Sequence, residues 1–118
     1  MYQQFYNQVA EEASDRIRDN ERRALRHSIT LLNKAKKAGP KSIEAVEAIF
    51  FLSRLWGVLL EDLASDENAL PAELRAKLIS IGIWMLRHAE GIRKGIETDL
   101  QPLVEISESI CAGLAVRA

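Results

Sequence analysis

Two histidines and an adjacent pair of carboxylates are the residues of this chain best suited by type to catalysis or metal binding. His27 falls on the charged side of a predicted helix and His88 follows Trp84 by one turn, but neither has a carboxylate or cysteine at ligand spacing. Glu61 and Asp62 are neighbours, so on a helix they point about 100° apart and cannot work as a pair. The sequence contains no phosphate-binding loop, nucleotide fingerprint or nucleophile elbow. We therefore expect no enzyme activity, no metal and no cofactor.

Basic residues are concentrated between positions 16 and 37, where eight Lys or Arg stand against two acids. Several of them fall opposite the apolar side of a predicted helix, where they form a ridge able to contact RNA phosphates, with Arg22, Arg23 and Arg26 as the candidate contacts. No aromatic side chain is interleaved for base stacking, and the net charge of the whole chain is −1. We favour a solvated helix face, and RNA binding stays open as the alternative.

Large apolar side chains are the candidates for binding a protein partner. One set lies in the middle of the chain and another at its amino terminus: Phe50, Phe51, Trp56, Ile83 and Trp84, and Tyr2, Phe5 and Tyr6. The same residue types also build helical cores, and we expect Trp56 and Trp84 to be core residues more often than contacts.

The chain is divided into helix-length pieces by Pro40, Pro71, Pro102, Gly39 and Gly95. No piece shows the sustained alternation of apolar and polar residues that is typical of a strand. The predicted helices span about 15–38, 43–64, 71–94 and 99–115, after a short amphipathic piece containing Tyr2, Phe5, Tyr6 and Val9. Ser42 is the predicted N-cap of the second helix. The fold class is therefore all-α: an antiparallel bundle of about four helices with a short amino-terminal helical arm.

The second and third predicted helices are apolar around most of their circumference. On the second, Glu47, Arg54 and Glu61 recur every seven residues and form one narrow polar strip. Such a helix lies at the centre of a bundle or offers a second face to a partner, and we expect the second and third helices to lie at the centre. Gly82, inside the third helix, predicts a close approach of two helices.

The bulk composition fits one soluble domain over residues 1–118, with 47% apolar and 28% charged residues. The single cysteine, Cys111, allows no internal disulfide and is predicted to be a small core residue in a reducing compartment. The start of the chain lacks a signal-peptide pattern. The apolar stretch FFLSRLWGVLLEDL cannot span a bilayer, because charged residues interrupt it. We expect a cytoplasmic protein.

From Glu44 onward the sequence contains a long specific pattern: Leu55-Trp56, Leu59, Asp62-Leu63, Asn68, Leu70-Pro71, Leu74-Arg75-Ala76, Leu78-Ile79-Ser80-Ile81-Gly82 and Trp84. In this pattern the sequence resembles the FlaF family of bacterial flagellar biosynthesis regulators. The upstream run ERRALRHSITLLNKAKKAGP is similar to the family's first long helix, and the residues before it match more loosely.

The resemblance implies a small helical protein without catalytic residues that acts on flagellin, alongside the companion regulator FlbT. Our leading hypothesis is a flagellin chaperone that accepts an amphipathic helix in an apolar groove and couples flagellin synthesis to export. The alternatives are a regulator of flagellin mRNA translation that acts through RNA, and an adaptor that binds FlbT. A homodimer that uses the same apolar surface also stays open.

Overall fold

The computed structural model describes residues 2–117, with side chains for residues 19–112. Over that range the chain forms four α-helices and no strand: α1 (Tyr2–Ala38), α2 (Ile43–Ala64), α3 (Ala72–Arg93) and α4 (Gln101–Arg117). The predicted all-α bundle is confirmed. The predicted limits of α2 agree with the structure, and those of α3 and α4 differ from it by one or two residues.

The first helix is longer than predicted, because the amino-terminal piece continues into it without a break. The start predicted near residue 15 is therefore corrected to Tyr2. The physical reason is that no glycine or proline occurs between residues 2 and 38 to end a helix. At 1.5 Å per residue, 37 helical residues span about 55 Å, which accounts for most of the 58 Å length of the molecule.

The turn between α1 and α2 is built by one glycine and one serine. Gly39 has a φ of 106°, which glycine adopts without strain, and its N–H donates to the Ala35 carbonyl at 2.8 Å. The Ser42 hydroxyl oxygen accepts from the Ala45 N–H at 3.1 Å and donates to the Gly39 carbonyl at 2.6 Å. The predicted helix stop and the predicted N-cap are both confirmed.

The connection between α2 and α3 is organised by Asn68. Its side-chain amide donates to the Asp62 carbonyl at 3.2 Å and to the Asp62 carboxylate at 3.1 Å, while its side-chain oxygen accepts from the Leu70 N–H at 3.0 Å. Arg75 reaches back from the first turn of α3 and donates to the Ser65 carbonyl at 3.3 Å. These bonds tie the end of α2 to the start of α3.

The helices do not pack as a symmetric square. Helix α2 lies between α1 and α3, α4 packs on α1, and α3 meets α4 only slightly. The expectation that α2 and α3 are both central is therefore corrected, because α1 and α2 form the centre. Helix α3 buries a single side, and its buried residues begin only at Gly82.

The core is formed mainly by small and aliphatic side chains from all four helices. Its members include Leu32, Ala35, Ala48, Leu52, Trp56, Met85, Ala89, Leu100, Leu103 and Val104. A Cβ placed on Gly82 would lie 2.7 Å from the Trp56 ring and 2.8 Å from the Leu60 side chain, so the predicted close approach is confirmed. Cys111 is buried, as predicted. In the described part of the chain, no helix is long and apolar enough to cross a membrane.

Candidate partner-binding surface

The apolar residues predicted to bind a partner are distributed between the core and two separate surfaces. Trp56 is 1% exposed and belongs to the core, where it cannot contact a partner. Phe51 is half-buried and packs edge-on against the His27 ring, with the ring centroids 4.8 Å apart. Phe50, Ile83 and Trp84 lie at the surface, so the expectation that Trp84 is a core residue was wrong. Tyr2, Phe5 and Tyr6 are helical in backbone, and their side chains lie outside the described residues.

The first surface is a row of apolar side chains on the outer side of α2, here named the α2 strip. It consists of Ile43, Val46, Phe50 and Val58, whose side chains are between 62% and 70% exposed. Glu47, Arg54 and Glu61 share this outer side, as their seven-residue spacing requires. The Arg54 guanidinium lies over the Phe50 ring, 5.7 Å from its centroid. Glu47, Arg54 and Glu61 thus form a charged line along the strip, with Val58 on one side of it and Phe50 and Val46 on the other.

The second surface lies on α3 and consists of Ile83 and Trp84, each 42% exposed. It is here named the Trp84 patch. The Trp84 indole stacks on the His88 ring with the centroids 4.9 Å apart and an angle of 18° between the planes. His88 Nε2 lies 2.7 Å from the Asp99 carbonyl oxygen, so the ring is held against the connection to α4. This contact fixes the orientation of the face that Trp84 presents to solvent.

A shallow hollow of about 410 Å³ adjoins the Trp84 patch and is lined by Trp84, His88, Gly91 and Ile96, among others. Ile96, in the connection to α4, is 75% exposed and adds apolar area to its rim. Glu90 also lines the hollow, and its hydrogen bond from the Arg93 guanidinium holds the pKa of the Glu90 carboxyl below its usual range. The hollow therefore joins an aromatic wall to a rim of ionised side chains.

The three arginines Arg22, Arg23 and Arg26 of α1 differ in exposure and in their partners. Arg22 is bound to Asp19 one turn earlier and its side chain is only partly exposed, whereas Arg23 and Arg26 are exposed. Near the end of α1, Lys36 donates to Gln101 of α4. Two of the three arginines considered for RNA binding are thus available at the surface.

The residues considered for chemistry are not brought together by the fold. Within residues 19–112, no three His, Cys, Asp or Glu side chains are arranged so that they could hold a metal ion. His27 and His88 lie on different helices, and each contacts an aromatic ring. The exposed clusters described above are instead apolar.

Sequence reasoning missed the exposure of Ile43, Val46 and Val58, since they belong to the nearly continuous apolar circumference of α2. A signal was present in the polar residues Glu47, Arg54 and Glu61, which mark the side of α2 that faces water. Residues 43, 46, 50 and 58 lie within about 60° of that polar strip on a helical wheel. Their solvent exposure follows from this neighbourhood.

Comparison with known protein families identifies a match. A family model described as "Flagellar protein FlaF" matches residues 2–114, which is nearly the whole chain. No curated protein and no solved structure matches the chain.

Proposed function

The chain belongs to the FlaF family of flagellar proteins, and from that membership we propose that it binds flagellin in the cytoplasm as a chaperone. In this role it keeps flagellin unassembled and couples flagellin synthesis to export, either alone or as an adaptor with FlbT. The terminal segments of flagellin are amphipathic and assemble through their apolar faces, so a flagellin monomer needs those faces covered until it is exported. A helical protein that exposes large apolar side chains is suited to cover them.

The observation that carries the proposal is the Trp84 patch with its adjoining hollow. Trp84 and Ile83 are held at the surface of a folded helix, and the stacked, hydrogen-bonded His88 fixes the tryptophan in place. A rigid, half-exposed tryptophan beside a hollow is typical of the residues that dominate binding energy at protein interfaces. We assign the first contact with an amphipathic flagellin helix to this patch.

The test is titration calorimetry with monomeric flagellin at two salt concentrations and two temperatures. We expect binding with a negative change in heat capacity and little dependence on salt, because apolar surface is buried. Trp84→Glu and Ile83→Lys are each expected to weaken the affinity at least about tenfold, which corresponds to about 1.4 kcal/mol. Ala76→Glu is the matched control, since it adds a charge at an exposed position of the same helix two turns away. Unchanged affinity in both patch variants, with helicity retained, would refute the assignment.

The alternative is regulation of flagellin mRNA translation through RNA contacts of α1, which the exposure of Arg23 and Arg26 favours. Binding that relies on phosphate contacts weakens steeply as salt is raised. Replacing Arg22, Arg23 and Arg26 by Gln is expected to abolish RNA binding and to leave flagellin binding unchanged. Binding to RNA that is insensitive to salt, or no binding at all, would discard this alternative.

A further inference from the structure

We infer that a second copy of this chain covers the α2 strip, by packing its own α2 antiparallel to the first across a two-fold axis near residues 50 and 51. The strip holds four of the seven large hydrophobic side chains that are exposed in the described part of the chain. They lie on one side of one helix, which is the geometry of half a helix–helix interface. The inference rests on α2 alone and does not depend on flagellin binding.

The charges beside the strip identify a second copy as the partner. In an antiparallel pair centred between residues 50 and 51, residue n of one helix lies opposite residue 101 − n of the other. Glu47 then faces Arg54 of the second copy, and Arg54 faces its Glu47, which gives two pairs of opposite charge. Glu61 falls opposite the segment of the second copy that contains Lys41. Glu47 and Arg54 therefore each meet a complementary charge on an identical helix.

The apolar residues fall into the same register. Ile43 lies opposite Val58 of the second copy, and Phe50 lies at the axis beside the aromatic residues of the second copy. Ile43 and Val58 are thus paired with each other in the same arrangement that pairs the charges. An isologous interface requires this self-complementarity, because the same surface contributes both halves.

A parallel pairing of the two helices does not satisfy these charges. It would set Glu47 against Glu47, Arg54 against Arg54 and Glu61 against Glu61, three repulsive contacts beside the apolar row. The direction of pairing is therefore set by the charges, and the burial of the strip supplies the driving force. One helix from each copy makes an interface at the small end of the usual range, so we expect a dissociation constant on the order of 10 µM.

The test is analytical ultracentrifugation of the full chain without flagellin, at concentrations from about one-tenth to about ten times the expected dissociation constant. We expect the wild-type chain to pass from monomer to dimer across this range. Arg54→Glu and Glu47→Arg are each expected to weaken the dimer at least about tenfold, because each variant places like charges opposite one another twice. Both positions are exposed, so circular dichroism is expected to show unchanged helicity.

Two rescue experiments separate charge pairing from a general effect of substitution. The double variant Glu47→Arg/Arg54→Glu exchanges the signs and is expected to dimerise like the wild type. An equal mixture of the two single variants is expected to form heterodimers, since each supplies the charges that the other lacks. Glu47→Arg leaves the contact between Arg54 and Phe50 in place, so its effect cannot be attributed to loss of that contact. Lys77→Glu, an exposed charge reversal on α3, is the control expected to change nothing.

Three results would overturn the inference. The first is a wild-type chain that stays monomeric over the whole concentration range. If Phe50→Lys weakens flagellin binding of that monomer, the strip is a flagellin site instead. The second is a dimer that both single variants leave intact. The third is a double variant that fails to dimerise although it is folded, because an antiparallel pair must recover when the signs are exchanged.

Discussion

Gly82 lies against the Trp56 indole at the contact between α2 and α3. A Cβ at this position would approach Trp56 Cε3 to 2.7 Å and Leu60 Cδ2 to 2.8 Å. Real Cβ atoms do not come so close to carbon, and a buried indole has little freedom to move. The missing side chain thus permits the large Trp56 ring to be buried between two helices.

A pair of glycine-to-alanine substitutions tests this interpretation. Gly82→Ala gains helix propensity, but we expect a net loss of about 1–2 kcal/mol in the free energy of unfolding, since overpacking outweighs that gain. Gly57→Ala is the control, because a Cβ there meets nothing within 4 Å; we expect it to stabilise the protein by about 0.5–1 kcal/mol. Urea unfolding measures both changes. A Gly82→Ala chain as stable as the wild type would show that the helices move apart at little cost.

Ser107 is a second informative residue, because its hydroxyl is buried and has no hydrogen-bond partner among the described side chains and backbone. A buried hydroxyl without a partner has lost its hydration without compensation. We expect Ser107→Ala to leave the free energy of unfolding unchanged or to raise it by up to about 1 kcal/mol. Urea unfolding is again the measurement, and a clear loss of stability would reveal a partner for this hydroxyl.

At the scale of the elements, the cap at Ser42 fixes where α2 begins. Its hydroxyl takes part in two hydrogen bonds, one to the first turn of α2 and one to the carbonyl of Gly39. We expect Ser42→Ala to lower the free energy of unfolding by about 1 kcal/mol, because the Ala45 N–H loses its acceptor, while the Gly39 carbonyl keeps the Ser42 N–H as a donor. Ser42→Asp keeps an acceptor for the Ala45 N–H and is expected to recover part of the loss in thermal unfolding. Equal stability of Ser42→Ala and the wild type would contradict the cap.

The helix limits were predictable from the sequence, and the polar residues Glu47, Arg54 and Glu61 marked the outward side of α2, but not how far its exposed apolar surface extends. Gly39, Pro40 and Ser42 act locally, through backbone conformation and one cap, so their effect is readable without knowledge of the fold. The size of Phe50, Ile83 and Trp84 makes them candidates for binding a partner, and the structure places them at the surface. Val46 and Val58 were not predicted to be exposed, because helical periodicity does not say which of several apolar sides of a helix receives a neighbouring helix.

At the scale of the whole molecule, α3 is the helix least enclosed by the others. It packs on α2, and its buried residues all lie from Gly82 onward, where it approaches the start of α4. Leu74 and Leu78, in its first half, are only half-buried. This arrangement was not predictable from the sequence. The apolar residues around most of α3 favoured a central place for α3, but the central place next to α2 belongs to α1.

This asymmetry predicts uneven hydrogen exchange along α3. We expect backbone amides of residues 76–81 to exchange faster than those of residues 85–92, since the first half can open without breaking contacts to α4. The difference is measurable by exchange and mass spectrometry on peptides that divide the helix near Gly82. Uniform protection along α3 would indicate that the helix opens only with the whole bundle.

The pairing of α1 with α4 also sets the order of events during synthesis. Sixty-two residues separate the end of α1 from the start of α4, and a ribosome adding about 5–20 residues per second needs about 3–12 s to make them. Helical bundles fold in microseconds to milliseconds once their helices are present. The face of α1 that packs on α4 therefore waits for seconds until α4 has been made. Translation, and not the folding reaction, determines how soon a newly made copy is ready to act.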